Sequence, residues 1–355
     1  MSKNTSIQIC RGIAAVVVVF HHLFFMQAEK LFTNEPFMKM INFHLIGDFA
    51  VYVFFAISGY VMMLSISERP KKPIIFLADR VKRIYPTYMF WTLISLIIVS
   101  SSDYFGVEII RMNYIPGSLS ELVRILFLIP SSDSHRYATT LSTAWSLVYE
   151  MYYYFIFTII FIFIKAKKTP FILFAFLFFS SLIITSSLNP VRTSWINGSY
   201  ILGDSASLCF GFGAICYSLK EKISSITSNS TMIIVALLSV FSLLLMKNQD
   251  STKALVIILA CLTFISFANI KFNEGPITKA FTFLGDASYS IYLTHILFSL
   301  ASWRAAMIDK DLFVSFMFSL FSIIFGIFSY LTIEKGFISL MRKNKKVNRL
   351  LTQPK

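Results

Sequence analysis

Gln8-Ile9-Cys10-Arg11-Gly12-Ile13-Ala14-Ala15-Val16-Val17-Val18-Val19-Phe20-His21-His22-Leu23-Phe24-Phe25-Met26-Gln27 is the stretch that decides the fold. A helix needs about 20 predominantly apolar residues to cross the hydrocarbon of a bilayer, where only internal hydrogen bonds can satisfy the backbone. This stretch meets that requirement. It runs out at Met26-Gln27-Ala28-Glu29 without the small-residue pattern of a cleavage site, so the span is expected to be retained. Stretches of the same kind recur at about 45–66, 84–101, 145–164, 170–188, 199–219, 231–246, 254–270, 281–303 and 312–333. The expected fold class is all-α: a polytopic integral membrane protein of about ten transmembrane helices, with residues 1–340 as the transmembrane domain and 341–355 as a basic tail.

Composition agrees. Of the 355 residues, 56% are hydrophobic and 14% charged, against about 25% charged in a soluble domain, which leaves no room for a sizeable soluble unit. The net charge of +14 points to orientation rather than to nucleic acid, because the basic residues flank spans instead of forming a soluble basic domain. Roughly two-thirds of the 32 lysines and arginines fall on the side of the N-terminus when the spans are counted off, so both termini are expected to be cytoplasmic. On that topology the long segment 102–144 is external, and its amphipathic stretch Leu119 to Leu126 is suited to lie on the bilayer surface. Cys10, Cys209, Cys216 and Cys261 lie in or beside apolar segments without metal-ligand spacing, so neither a disulfide nor a metal site is expected.

Ionisable residues inside a span cost at least a few kcal/mol each, which makes them candidates for function. Arg11 and His22 are eleven residues apart, only about 20° past three full turns, and so share a helix face about 16 Å apart, while His21 points away. A neutral imidazole at that depth can take a proton from a hydroxyl and return it; structural hydrogen bonding across the bundle is the plain alternative. Glu150 follows Trp145 and Ser146 just inside the fourth span, where it can orient an imidazolium, hold a hydroxyl or form an ion pair. Asp48 and Asp204 read as interfacial caps. Tyr292 and His295 share a face at i, i+3 in the segment that begins Gly285-Asp286, with packing and chemistry both open to them. Arg80 and Arg83 share another just before Pro86, suited to a phosphate or to anionic headgroups.

In this order the segments resemble the bacterial membrane-bound acyltransferase-3 family, in the single-domain form that lacks an appended esterase-like domain. The family's basic residue, ten residues, then His is met by Arg11 and His22, which selects His22 over His21. Phe54-Phe55-Ala56-Ile57-Ser58-Gly59 matches its Phe-Phe-x-x-Ser-Gly. Arg80, Arg83 and Pro86 match its Arg-x-x-Arg before an apolar-Pro turn, and Trp145 to Glu150 match Trp-Ser-Leu-x-x-Glu. Ser288, Tyr289, Tyr292, Leu293 and His295 match Ser-Tyr-x-x-Tyr-Leu-x-His. The chain departs from the family at Tyr52, where many members are acidic, and at Gly336, where Ile-Glu-Lys is usually followed by Pro.

The resemblance implies an O-acyltransferase of the bacterial cytoplasmic membrane, moving an acyl group, acetyl before others, from acyl-CoA to a sugar hydroxyl of a lipid-linked or surface polysaccharide. Acetyl-CoA is then a co-substrate rather than a bound cofactor. It further implies His22 as general base or transient acyl carrier, with Glu150 beside it or at the acceptor. Arg80 and Arg83, helped by Arg11, would hold the CoA phosphates; Tyr292, His295, Trp145 and Ser146 form an acceptor or structural motif. A proton-coupled transporter or flippase of polysaccharide assembly shares the intramembrane charges and is the main rival, although it has no need of the Arg80/Arg83 pair.

Overall fold

The computed structural model describes residues 5–32, 42–68, 72–105, 115–130, 139–188, 197–246, 252–308 and 310–341, and every element in them is helical. The first span is α1 (Thr5–Phe20), a π-helical turn (His21–Phe25) and α2 (Met26–Leu31) in one run. There follow α3 (Phe43–Glu68), α4 (Pro73–Phe105), the short α5 (Leu119–Phe127), α6 (Trp145–Phe163), α7 (Thr169–Leu188), α8 (Gly198–Gly203), α9 (Ser207–Ile226), α10 (Asn229–Leu245) and α11 (Thr252–Asn269). The chain closes with α12 (Pro276–Thr294), a 3-10 turn (His295–Phe298), α13 (Ser299–Met307), α14 (Leu312–Ser329) and a second π-helical turn (Tyr330–Glu334).

The last long helix shows the solvent it was built for. Along α14, Ser315, Ser319, Ser322 and Ser329 are fully buried, while Phe313, Phe321, Ile324 and Phe328 are more than half exposed. In water this pattern would be inside out; in lipid it buries the hydroxyls, which bond the backbone one turn back or across the bundle, and greases the outside. The chain is a multi-pass membrane protein.

Small residues set the central crossings. A β-carbon on Gly285 of α12 would stand 1.9 Å from the Gln8 carbonyl oxygen of α1, and one on Gly12 would stand 2.9 Å from the Gly285 nitrogen. The same device joins α3 to α9, where a β-carbon on Gly59 would meet the Phe210 carbonyl oxygen at 1.9 Å. Helices in lipid associate through such close packing because apolar burial gives them little. The contacts run in register: Gly12 meets Gly285, Val18 packs with Tyr292, and His22 meets His295, so α1 and α12 are parallel neighbours.

Helices stand at all ten expected positions, but among the described residues seven are long and apolar enough to cross a bilayer, or eight if α9 and α10, bent by 120° at their junction, make one span. Two physical reasons account for the difference. Lys220, Glu221 and Lys222 charge the end of α9, and α10 has only 17 residues. In the expected span 281–303, α12 is polar because its buried face, Ser288 and Ser290 included, looks into the bundle, and the segment is broken at His295.

The third span departs further. Expected at 84–101, its helix begins at Pro73 and runs through Pro86, a length of about 50 Å that draws Arg80 and Arg83 into the span itself. The amphipathic stretch does form a helix, α5, with a capping box: Ser118 accepts from Glu121 N–H at 3.2 Å, while the Glu121 carboxylate accepts from Gly117 N–H at 2.7 Å. Tyr85 and Tyr88 of α4 donate to the Phe127 and Ile125 carbonyls at its end. α5 is therefore held against α4 within about one and a half turns of Arg83. Residues 106–114 and 131–138 of the long loop, Arg69 to Lys71 of the basic cluster and the tail beyond Met341 lie outside the described residues.

Candidate active site

Arg11, Arg80, Arg83, Ser146, Glu150 and Tyr292, six of the residues singled out from sequence, line one cleft of about 90 Å³ between α1, α3, α4, α6 and α12. Its wall on α3 runs from Val51 to Val61, about 15 Å of helix rise. The cleft is narrow for that length, since pockets for drug-sized ligands run from about 300 Å³ upward.

The cations of this cleft feel the carboxylates of Glu150 and Glu334 but are not directly paired with them. Among the described residues none of the three guanidinium groups lies in a salt bridge, and Arg80 Nε has no hydrogen-bond partner. Arg80 is instead steadied by the rings of Phe76 at 5.2 Å and Tyr154 at 5.9 Å. The one carboxylate on the lining, Glu150, is held by other groups: Ser58 Oγ donates to Oε1 at 2.7 Å, and the Tyr154 hydroxyl donates to the same oxygen. Three cations held beside an already satisfied carboxylate make a receptor for an anion.

His22 stands outside this cleft. Its ring stacks on His295 at 5.4 Å with 19° between planes, and lies 4.8 Å from that of His21. His21 is the structural member of the pair: its Nδ1 donates to the Phe43 carbonyl at 3.1 Å and its ring packs where Gly47 leaves room. Tyr292 lines the cleft and lies 5.8 Å from His295 by ring centre, and its hydroxyl bonds Ser146 Oγ at 2.7 Å and the Thr143 carbonyl at 3.1 Å. Glu150 is thus grouped with the arginines rather than with His22. Trp145 packs edge-on to Tyr149 and Phe55 beside the cleft. Asp204 does cap, accepting from Ala206 N–H at 2.8 Å, and also pairs with Lys253 at 2.7 Å and accepts from the Tyr149 hydroxyl at 2.8 Å.

Three functional groups carry weaker signals in the sequence. Ser58 is one letter of a motif, and its partner Glu150 lies 92 residues away. Tyr154 is readable, since i+4 from Glu150 puts it on the same face. Glu334, 3% exposed, takes a hydrogen bond from Ser290 Oγ at 2.7 Å and acts electrostatically on Arg11 and Arg83. Its signal is a lone carboxylate in an apolar span. With Gly336 where the family usually has Pro, the helix continues to Met341 and carries the π turn that delivers Glu334.

The family profile described as an acyltransferase domain, acyltransferase-3, matches residues 4–340. The chain belongs to this family. Among curated proteins it is 25% identical over 305 residues to the "O-acetyl transferase" of Shigella phage Sf6, covering 82% of this chain and 84% of that protein. It is 24% identical over 267 residues to "Exopolysaccharide production protein ExoZ" of Rhizobium meliloti (strain 1021), covering 70% and 76%. No solved structure matches. The chain is an acyltransferase, similar to an O-acetyl transferase and to a protein of exopolysaccharide production.

Proposed function

We propose that the protein transfers an acetyl group from acetyl-CoA to a sugar hydroxyl of a cell-surface polysaccharide, of the lipopolysaccharide O-antigen or exopolysaccharide kind, in the bacterial cytoplasmic membrane with both termini inside. The observation that carries this reading is the narrow cleft with Arg11, Arg80 and Arg83 on its wall and none of them in a salt bridge among the described residues. Phosphates of CoA are matched by guanidinium groups, which bind them with paired N–H donors. The phosphates meet the cleft at its exposed Arg83 end, and the thioester reaches inward toward Ser146 and Tyr292.

His22 then acts as general base. It takes the proton of the acceptor hydroxyl as the oxygen attacks the thioester carbonyl, a step worth about 10²- to 10⁴-fold in rate. His22 suits this better than His21, whose Nδ1 is committed to the Phe43 carbonyl. Glu150 is positioned by Ser58 and Tyr154 to limit the positive charge of the cleft without occupying it.

The test is the O-acetyl content of the surface polysaccharide, read by proton NMR, in a deletion strain complemented with wild type or with His22→Ala at matched membrane expression. Restoration by wild type alone supports both the acyl transfer and His22. Restoration by both makes His22 structural, and an acetyl signal absent from the parent strain as well removes the polysaccharide substrate.

A further inference from the structure

The rings of His22, His295 and Tyr292 form a row that joins the proposed base to the wall of the arginine cleft. His295 is the middle member, its ring centre 5.4 Å from His22 and 5.8 Å from Tyr292. It is fully buried, and neither ring nitrogen has a well-formed hydrogen bond among the described residues, the Ile291 and Tyr292 carbonyls that act on it belonging to its own helix. An imidazole left in that state forgoes the bonds that normally fix its tautomer and orientation, as the Phe43 carbonyl fixes His21. Buried polar groups are nearly always bonded, and exceptions call for a reason such as catalysis. Both helices are also irregular at this point: the first span turns π-helical at His21–Phe25 and α12 gives way to a 3-10 turn at His295–Phe298. Such local departures inside long helices cluster at functional positions.

We propose that His295 relays a proton from His22 to Tyr292, and that Tyr292 is the acid that protonates the departing thiolate. This rests on the acyl-transfer reading above. His22 stands at one end of the row and Tyr292, on the cleft wall, at the other, so the proton taken at His22 can return to the leaving sulfur through the row. As the new C–O ester bond forms and the C–S bond breaks, the hydroxyl proton passes to His22. His295 accepts that proton on one ring nitrogen and releases the proton on its other nitrogen to the Tyr292 oxygen, while the Tyr292 hydroxyl proton goes to sulfur. Alcohol and thioester become ester and thiol, and all three side chains end neutral. Both nitrogens of His295 are used, which accounts for both being free. In the stacked arrangement they are not aligned with either neighbour, and a rotation of the unbonded ring supplies the alignment.

The relay is tested by the dependence on leaving group. Membranes of the deletion strain serve as acceptor, and purified wild type, His295→Gln, Tyr292→Phe and His22→Gln are each supplied with acetyl-CoA or with the acetyl thioester of p-nitrothiophenol, which departs without needing a proton. His295→Gln and Tyr292→Phe are expected to lose about 100-fold or more in kcat with acetyl-CoA, at an unchanged KM, and less than about 5-fold with the aryl thioester. His22→Gln loses both activities. Equal losses with the two donors mean that His295 only supports the fold and overturn the relay, as does a loss under about 5-fold with acetyl-CoA. CoA binding by each variant reports an intact cleft. A wild-type protein that transfers acetyl from neither donor overturns the acyl-transfer reading and the relay with it.

Discussion

Replacing Arg80 by methionine separates binding from stability. The guanidinium lies over Phe76 at 5.2 Å and Tyr154 at 5.9 Å, and methionine fills much of the same space against both rings. No salt bridge to Arg80 exists among the described residues, so no carboxylate is orphaned by the change. Loss of the cation–π contacts and of the attraction of Glu150 and Asp79 is offset by relief of the cost of burying the charge and of repulsion from Arg83, leaving stability within about 1 kcal/mol of wild type. A contact between a charged donor and a phosphate contributes about 1.5–3 kcal/mol, so the Kd for CoA should rise about 10- to 150-fold. Calorimetric titration of CoA into protein in nanodiscs, with thermal unfolding measured in parallel, reads both quantities. A Kd within two-fold of wild type in a folded variant would refute the assignment of the arginine cleft to the CoA phosphates.

His21→Phe should cost about 0.6–1.7 kcal/mol of stability through the lost bond to Phe43 yet keep polysaccharide acetylation, scored by NMR beside the inactive His22→Ala. Gly285→Ala forces a β-carbon to within 1.9 Å of the Gln8 carbonyl oxygen and should destabilise by at least about 1–3 kcal/mol, measured as a lower melting temperature and a smaller monodisperse fraction in detergent. Ser58→Ala frees the Glu150 carboxylate to turn toward the arginines, so the CoA Kd should rise several-fold while thermal stability changes little; an unchanged Kd removes Ser58 from the site. Glu334→Gln removes a negative charge that acts on Arg11 and Arg83 and should lower the melting temperature.

Much of the site is legible in the sequence because its parts are chemically out of place in lipid. Arg11, Arg80, Arg83 and Glu150 are costly there, and that cost alone marks them; the folded chain gathers them around one cleft. Their grouping is less legible. Helical spacing along the first span sets Arg11 and His22 on one face, but it cannot show that Arg11 lines the cleft while His22 stacks on His295, some 270 residues later. The expected closeness of Glu150 to His22 fails for the same reason: span boundaries give depth in the bilayer, whereas the partner of Glu150 is chosen by the crossing of α6 with α3. The fold is hardest to read where a helix is polar for good cause. The second half of α12 faces its neighbours rather than lipid, so apolarity cannot measure it, and α4 carries Arg80 and Arg83 about two and three turns from its start, where they line the cleft.

All four cysteines are buried and their thiols are free, with Cys209 and Cys261 in contact at 3.9 Å. The native chain thus offers a quiet background to water-soluble thiol reagents. A single cysteine placed at Ser118, before α5, or at Lys167, between α6 and α7, would report which face of the membrane it occupies without any native residue first being removed. The packing that hides the thiols makes the sidedness of each loop directly readable in intact cells.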